Sequence, residues 1–399
     1  MKNVGILTHC IANNFGANLQ ALSTASYLRK NGFNPVFFFW DEYLVKRSRN
    51  INQEQMNIHR LFLKNNGFFL SESCKSDADF LRIINQMNIQ NIIVGSDAVL
   101  TVKSFIDRIR FRKFIIPYLS EKSADSEFPN PFWVPFASKL EKCRYFYLSP
   151  SCQSSNYGFL RKKKIFQMKK QMLCFSYLSA RDAYTAKMIQ HLSECNRKVP
   201  VTPDPVWGFN QNVSNIPSKD DVVKKFGIEK DYILTSYYKN EEPSKEWLDE
   251  LRNVANENGV EVYALPMPQG IFCSNLPQIQ LPLDPLDWYA LIRYSKGYVG
   301  NNMHPIIVAM HNCVPFYSID QHGKKLGKFL FDKTSKVYDL LQRFNMLEYR
   351  IKATKIKKVS AARVFYQLQN FDRNREREIS QKMSDDYMDM MKNICSMFL

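Results

Sequence analysis

Short, nearly unbroken apolar runs alternate along this chain with longer stretches whose apolar residues recur at helical spacing. Val4-Gly5-Ile6-Leu7-Thr8 is the first predicted strand. A loop from His9 to Gly16 follows. Leu19, Leu22, Ser26 and Leu28 then fall near helical spacing, with Gly32 placed to end the helix, and residues 36–40 (VFFFW) form a second strand. Strand, helix and strand make one βαβ unit, and its right-handed crossover implies a parallel sheet. The alternation recurs at Asn91-Ile92-Ile93-Val94, halted by Gly95-Ser96-Asp97, and at Tyr145-Phe146-Tyr147-Leu148, halted by Ser149-Pro150-Ser151. It recurs again at residues 174–178, which run into Ser179-Ala180-Arg181 and a predicted helix over 182–192. These runs are almost continuously apolar, as strands covered on both faces are.

A second series begins after the proline-marked stretch 199–205. It predicts a strand over 232–237, a helix over 246–256, a strand over 260–265 and a helix over 286–294. Tyr298-Val299-Gly300 is the next strand, a helix starts at Pro305, and residues 314–319 close the series. The pattern predicts an α/β protein of two doubly wound, Rossmann-like lobes with a cleft between them. The expected divisions are 1–205, 206–345, and a charged, helix-prone tail over 346–399 that crosses back to brace the first lobe.

Composition narrows the class. A chain of 399 residues has room for two or three cores. With 45% hydrophobic and 23% charged residues, it is not disordered, collagenous or of low complexity. No stretch approaches the roughly 18 unbroken apolar residues of a membrane-spanning helix. The first residues show no export-signal pattern, so the expectation is a cytoplasmic protein. Nine cysteines, odd in number, irregularly spaced and without a CxxC pair, are expected to be reduced.

Charge changes the picture more. A net +17 draws nucleic acid, an anionic membrane surface or a phosphorylated substrate, or else marks a solvated basic face. The basic runs are Arg161-Lys162-Lys163-Lys164, Lys169-Lys170 and Lys355-Ile356-Lys357-Lys358. No zinc finger, RNA-recognition signature or basic zipper accompanies them, so nucleic acid is not an expected partner.

In open parallel sheets, ligands bind beyond the carboxyl ends of the strands, beside helix N-termini. That rule selects the loop 10–18, the turns 95–97 and 149–152, Arg181, and Asn301-Asn302-Met303-His304. His304, expected at a helix N-cap with Pro305 at the first helical position, is placed to bind a carboxylate or phosphate, to move a proton, or simply to cap. Arg181 ends an apolar strand, where it holds an anion through paired hydrogen bonds or an acidic neighbour through an ion pair. Asp97 is a sugar-hydroxyl acceptor, a base or a cap. Asp204, between Pro203 and Pro205, is expected to fix the turn between lobes, and His311 to pack or face solvent. A P-loop, GxGxxG, HExxH and GxSxG are all missing, which disfavours nucleotide motors, dinucleotide oxidoreductases, zinc peptidases and typical esterases.

Together these segments resemble the polysaccharide pyruvyl transferase family. The residues that carry the likeness are Asn14-Phe15-Gly16-Ala17-Asn18-Leu19-Gln20-Ala21, Val94-Gly95-Ser96-Asp97, Ser179-Ala180-Arg181-Asp182, Asp204-Pro205, and His304 through Ala309 with Pro315-Phe316. The resemblance implies a glycosyltransferase-B-like fold and transfer of pyruvate from phosphoenolpyruvate onto sugar hydroxyls as a ketal. It implies Arg181 and His304 as the catalytic residues, Arg181 on the anionic donor and His304 in donor binding or acid catalysis, with Asn14, Asn18, Gln20 and Asp97 lining the acceptor side. Asn302 stands where many relatives carry arginine, which leaves Lys296, Lys324 or Lys325 to supply the missing anion contact, and Leu100 replaces a family tryptophan. No metal or other cofactor is expected. The implied partners are phosphoenolpyruvate, a sugar or lipid-linked oligosaccharide acceptor, and the anionic inner face of a membrane. Two other readings stay open: a nucleotide-sugar glycosyltransferase of the same fold, and a non-catalytic basic protein that binds membrane or a partner.

Overall fold

The computed structural model describes residues 1–40, 52–112, 116–121, 123–153, 155–193, 198–238, 241–267, 270, 273, 275–320, 324–326, 329–331 and 335–399. The apolar runs form two parallel sheets. The first contains β1 (Lys2–Leu7), β2 (Phe33–Trp40), β3 (Phe69–Cys74), β4 (Asn91–Val94), β7 (Arg144–Tyr147) and β8 (Phe175–Tyr177), in the order β3-β2-β1-β4-β7-β8. Between β4 and β7 the chain makes a small antiparallel hairpin, β5 (Ile109–Arg112) and β6 (Ile116–Leu119). The second sheet has the order β10-β9-β11-β12-β15 and consists of β9 (Asp231–Ser236), β10 (Val260–Ala264), β11 (Gly297–Gly300), β12 (Phe316–Asp320) and β15 (Arg350–Lys352). β13 (Lys324–Leu326) and β14 (Phe329–Phe331) pair with each other, outside both sheets. The second sheet therefore extends past the expected boundary at 345, because β15 adds a parallel strand to the edge of β12.

Each sheet has one place where strand order reverses, between β1 and β4 in the first and between β9 and β11 in the second. Loops leaving adjacent strands diverge there and open a crevice at the carboxyl edge.

The longer helices are α1 (Phe15–Lys30), α2 (Gln53–Asn65), α3 (Asp77–Gln86), α4 (Lys162–Met172), α5 (Ala183–Ser193), α6 (Lys219–Phe226), α7 (Lys245–Glu257), α8 (Pro285–Arg293), α9 (Met303–His311), α10 (Lys336–Arg343), α11 (Ala361–Gln369) and α12 (Arg373–Ser396). α1 is buried on nearly every side, polar Asn18, Gln20, Ser23 and Thr24 included, because it lies between the first sheet and elements of the second lobe. Its Phe15 ring stacks on Trp288 of α8 at 5.1 Å, and Ser23 Oγ donates to the Pro205 carbonyl at 2.6 Å.

The tail returns as expected. α11 packs on α7, and α12 then crosses α9 and the turn Pro205–Gly208. Beyond it, Lys2 Nζ donates to the Leu399 carbonyl at 3.0 Å, and Phe398 meets Phe33 and Phe146 edge-on. Tyr387 of α12 is fully buried beside Gly208, where a Cβ would overlap its ring. The cysteines among the described residues are free thiols, and Cys195 lies outside those residues. No helix among the described residues is long and apolar enough to cross a membrane.

Removing the Tyr387 ring leaves a cavity where α12 clasps the first lobe. Tyr387→Ala is expected to destabilise the protein by about 3–5 kcal/mol, read as a lower urea midpoint.

Candidate active site

The site is assembled at the carboxyl edges of both sheets. After β4 the chain turns through Gly95-Ser96-Asp97, and Asp97 adopts a left-handed backbone (φ 71°), which aspartate tolerates better than most residues. Its carbonyl accepts from Ser151 N at 2.7 Å, so the turn after β7 holds the turn after β4. After β8, Ala180 N donates to the Pro200 carbonyl at 3.0 Å and the chain delivers Arg181, only 3% exposed. Arg181 Nη1 donates to Asp204 Oδ2 at 2.9 Å, and Nη2 lies 3.5 Å from Asp97 Oδ1.

Asp204 serves two structures at once. Oδ1 accepts from Val206 N at 3.0 Å, which caps the turn between lobes as expected from its proline neighbours. Oδ2 accepts from Arg181 and from Gln20 Nε2 of α1. The same Gln20 nitrogen lies 3.3 Å from His304 Nε2 on α9. A chain of polar groups, Asp97–Arg181–Asp204–Gln20–His304, thus runs from the first lobe into the second.

This chain fixes the state of the imidazole. Reversing the Gln20 amide would set its oxygen against the Asp204 carboxylate, so the nitrogen faces both neighbours and directs one hydrogen to each. His304 accepts at Nε2 and carries its proton on Nδ1. Burial pulls its pKa below the ordinary value; Asp204 and Asp97 oppose that pull, while Arg181 and Lys336 reinforce it. The balance favours the neutral imidazole. Gly16 passes directly beneath the ring, where a Cβ would overlap it, so the first turn of α1 forms the floor under His304. For Asp97, burial favours the neutral acid, but its cationic neighbours, Arg181 foremost, hold the carboxyl well below the usual carboxylate range.

Several expectations need correcting. His304 is the second residue of α9 rather than its cap: Asn302 has extended backbone (φ −100°, ψ 136°), so the helix starts at Met303 and Pro305 is its third residue rather than its first, still within the turn where a missing N–H leaves no gap. Arg181 is not an open anion-binding cation, because both ends of its guanidinium are committed to carboxylates. Asn14 caps α1 by accepting from Ala17 N at 3.3 Å. Asn18 Nδ2 donates to the Asn14 and Ala12 carbonyls at 2.9 and 3.2 Å, so it ties the loop together and is fully buried. Only Gln20 and Asp97 of that set join the polar chain. Lys296 lies at the opposite edge of the second sheet, since it precedes β11 whereas His304 follows it, and it pairs with Asp231 at 3.2 Å. Lys324 and Lys325 belong to the separate β13–β14 pair. Asn302 does reach the site edge: Nδ2 lies 3.2 Å from Met267 Sδ, and its buried Oδ1 has no hydrogen-bond partner among the described residues. His311 packs inside, accepting from Asn210 N at 3.3 Å, and burial lowers its pKa to about 3.

Lys336 was missed. It opens α10 and, with Ser335 and Asp339, faces Asp182, Tyr184 and Lys187 of the first lobe across a cleft of about 170 Å³. Burial and nearby Arg181 lower its ammonium pKa to about 8 against the pull of Asp97 and Asp182, and it forms no ion pair among the described residues. Asp182 is already satisfied by Ser151 Oγ at 2.9 Å and Thr185 N at 2.7 Å.

Two facing doubly wound lobes with a polar site between their switch points define the glycosyltransferase-B-like class. Solved structures agree: the chain is similar to a UDP-GlcNAc 2-epimerase from Neisseria meningitidis bound to UDP-GlcNAc (TM-score 0.58, 9% identity, 99% of this chain and 100% of that one). It is also similar to the UDP-GlcNAc 2-epimerase from Methanocaldococcus jannaschii (TM-score 0.52, 11% identity, 93% and 100% covered). At such identities the likeness is one of fold alone. No curated protein matches the chain in sequence. The polysaccharide pyruvyl transferase family matches residues 14–323, and the chain belongs to that family.

If Arg181 is the buried centre of this network, Arg181→Met strands two carboxylates and lowers stability by about 3–5 kcal/mol in urea denaturation. Adding Asp97→Asn and Asp204→Asn should recover much of that loss. A solvent-facing anion binder would show only a small change.

Proposed function

We propose that this protein transfers pyruvate from phosphoenolpyruvate to two hydroxyls of a sugar in a surface polysaccharide or its lipid-linked precursor. The observation that carries the reading is His304, its pKa lowered by burial and its Nε2 facing Gln20, within electrostatic reach of Lys336, whose ammonium forms no ion pair among the described residues.

The reaction adds a hydrogen to C3 of the enolpyruvyl group, forms two C–O bonds at C2, and breaks the C2–O bond to phosphate. One hydroxyl proton ends on C3 and the other leaves with phosphate. Each attacking hydroxyl has a proton to lose, and neutral imidazole is the group placed to take it. The 3.3 Å contact from Gln20 is long enough to be exchanged for a sugar hydroxyl. Lys336 and the free N–H groups opening α9 offer positive potential to the donor's phosphate and carboxylate. In this reading Arg181 is a positioning residue, acting through Asp97 and Asp204, and the first lobe takes the acceptor while the second takes the donor. A nucleotide sugar is the competing donor, supported by likeness of fold only.

Phosphate release from phosphoenolpyruvate, measured with a panel of lipid-linked and nucleotide-linked sugars, tests this. Release should require a sugar. His304→Ala should lower kcat by about 10²–10⁴-fold. Lys336→Ala should weaken donor use by about 10–100-fold, mainly in KM. Because the His304 pKa lies below its ordinary 6.5, activity should hold from neutral pH downward and fall only as pH drops through that lowered value. Turnover of a nucleotide sugar without any use of phosphoenolpyruvate would overturn the donor assignment.

A further inference from the structure

α4 of the first lobe takes no part in the site, yet its surface is unusual. Residues 161–172 read RKKKIFQMKKQM, with six cations and no acidic residue. Met168 and Met172 are buried and hold the helix to the lobe. On the outer side Phe166 is 59% exposed and Leu173, which ends the helix, is 77% exposed. The turn just before the helix presents Phe159 at 55%.

Helical geometry puts these groups together. At about 100° per residue, Leu173 projects within about 20° of Phe166, and Lys162, Lys163, Lys169 and Lys170 all fall within about 60° on either side of it. Met168 and Met172 point the other way. Lys170 Nζ lies 4.8 Å from the Phe166 ring centre. The outer face is therefore two large apolar side chains flanked by the exposed Lys162, Lys163 and Lys170.

We infer that this face of α4, with Phe159, is a docking surface for an anionic phospholipid bilayer. Charge complementarity selects the occupant. Lysine is depleted from the cores of protein–protein interfaces, so lysines flanking exposed Phe and Leu suit a protein partner poorly. A helix lying in a bilayer surface wants that arrangement: apolar side chains enter the acyl boundary while lysine stems lie along them and ammonium groups meet phosphates. The placement is also suitable. α4 follows the loop that leaves the carboxyl edge of β7, so it belongs to the same lobe whose carboxyl edge carries Asp97 and Arg181. The inference stands apart from which donor the site uses.

Co-sedimentation of the full-length protein with phosphatidylcholine vesicles, with and without phosphatidylserine, tests it. Wild-type protein should pellet only with the anionic vesicles, and less at high salt. Lys162→Gln, Lys163→Gln and Lys170→Gln together should weaken partitioning about a hundredfold, at about five-fold per charge. The control Lys355→Gln, Lys357→Gln, Lys358→Gln removes the same charge from another exposed run and should bind as wild type. Phe166→Ser with Leu173→Ser should abolish the binding that survives at high salt. All are surface changes, and unaltered melting temperatures will confirm folding. Absence of vesicle binding, equal behaviour of the two lysine variants, or indifference to the Phe166 and Leu173 changes would each overturn the proposal. So would heparin binding as tight as vesicle binding and equally indifferent to those two residues.

Discussion

The structure depends most on a buried arginine held between two carboxylates contributed by distant parts of the chain. Arg181 leaves the end of β8, Asp97 the turn after β4, and Asp204 the crossing between lobes. None of the three charges is tolerable there alone, because burial penalises each and only mutual pairing offsets the penalty. The arrangement fixes the carboxyl edge of the first sheet and the point where the chain enters the second lobe. Gln20 extends it. With one amide nitrogen on Asp204 and His304, the network reaches across the cleft and sets the imidazole tautomer.

The charged groups of the site divide between those paired with one another and those left facing the cleft. Arg181 and Asp204 set the geometry and potential, His304 Nε2 faces the long Gln20 contact, and Lys336 faces the cleft with no ion pair among the described residues. Gly16 and Phe15 serve the same end: one lets α1 approach the His304 ring, and the other stacks on Trp288 so that α1 is anchored to both lobes.

Much of the fold was legible because buried parallel strands announce themselves as apolar runs between turn residues. β1, β2, β4, β7, β8 and β9 to β12 all lie where those runs are. β3 (FLSESC) and β15 (RIK) escaped because they are rich in polar residues and only partly buried, and the β5–β6 hairpin, outside both sheets, escaped as well. In the site, the rule that ligands gather at carboxyl edges found Asp97, Arg181 and His304. It could not separate a free cation from a paired one: Arg181 meets Asp97 and Asp204 only through the tertiary fold. The prolines around Asp204 gave away its turn and concealed its second role. Lys336 lies beyond the family segment in an ordinary amphipathic helix, and nothing local marks it. Lys296 misled because spacing along the chain does not say which end of a strand faces the cleft.

The central claim is that this network holds His304 neutral, with its proton on Nδ1. Nitrogen-15 NMR of histidine-labelled protein, assigned by comparison with His304→Gln, measures that state directly. The account predicts an unprotonated Nε2 at pH 7, a titration midpoint below 6.5, and a changed signal in Gln20→Leu. An imidazolium at pH 7, or a proton on Nε2 that Gln20→Leu leaves undisturbed, would contradict it.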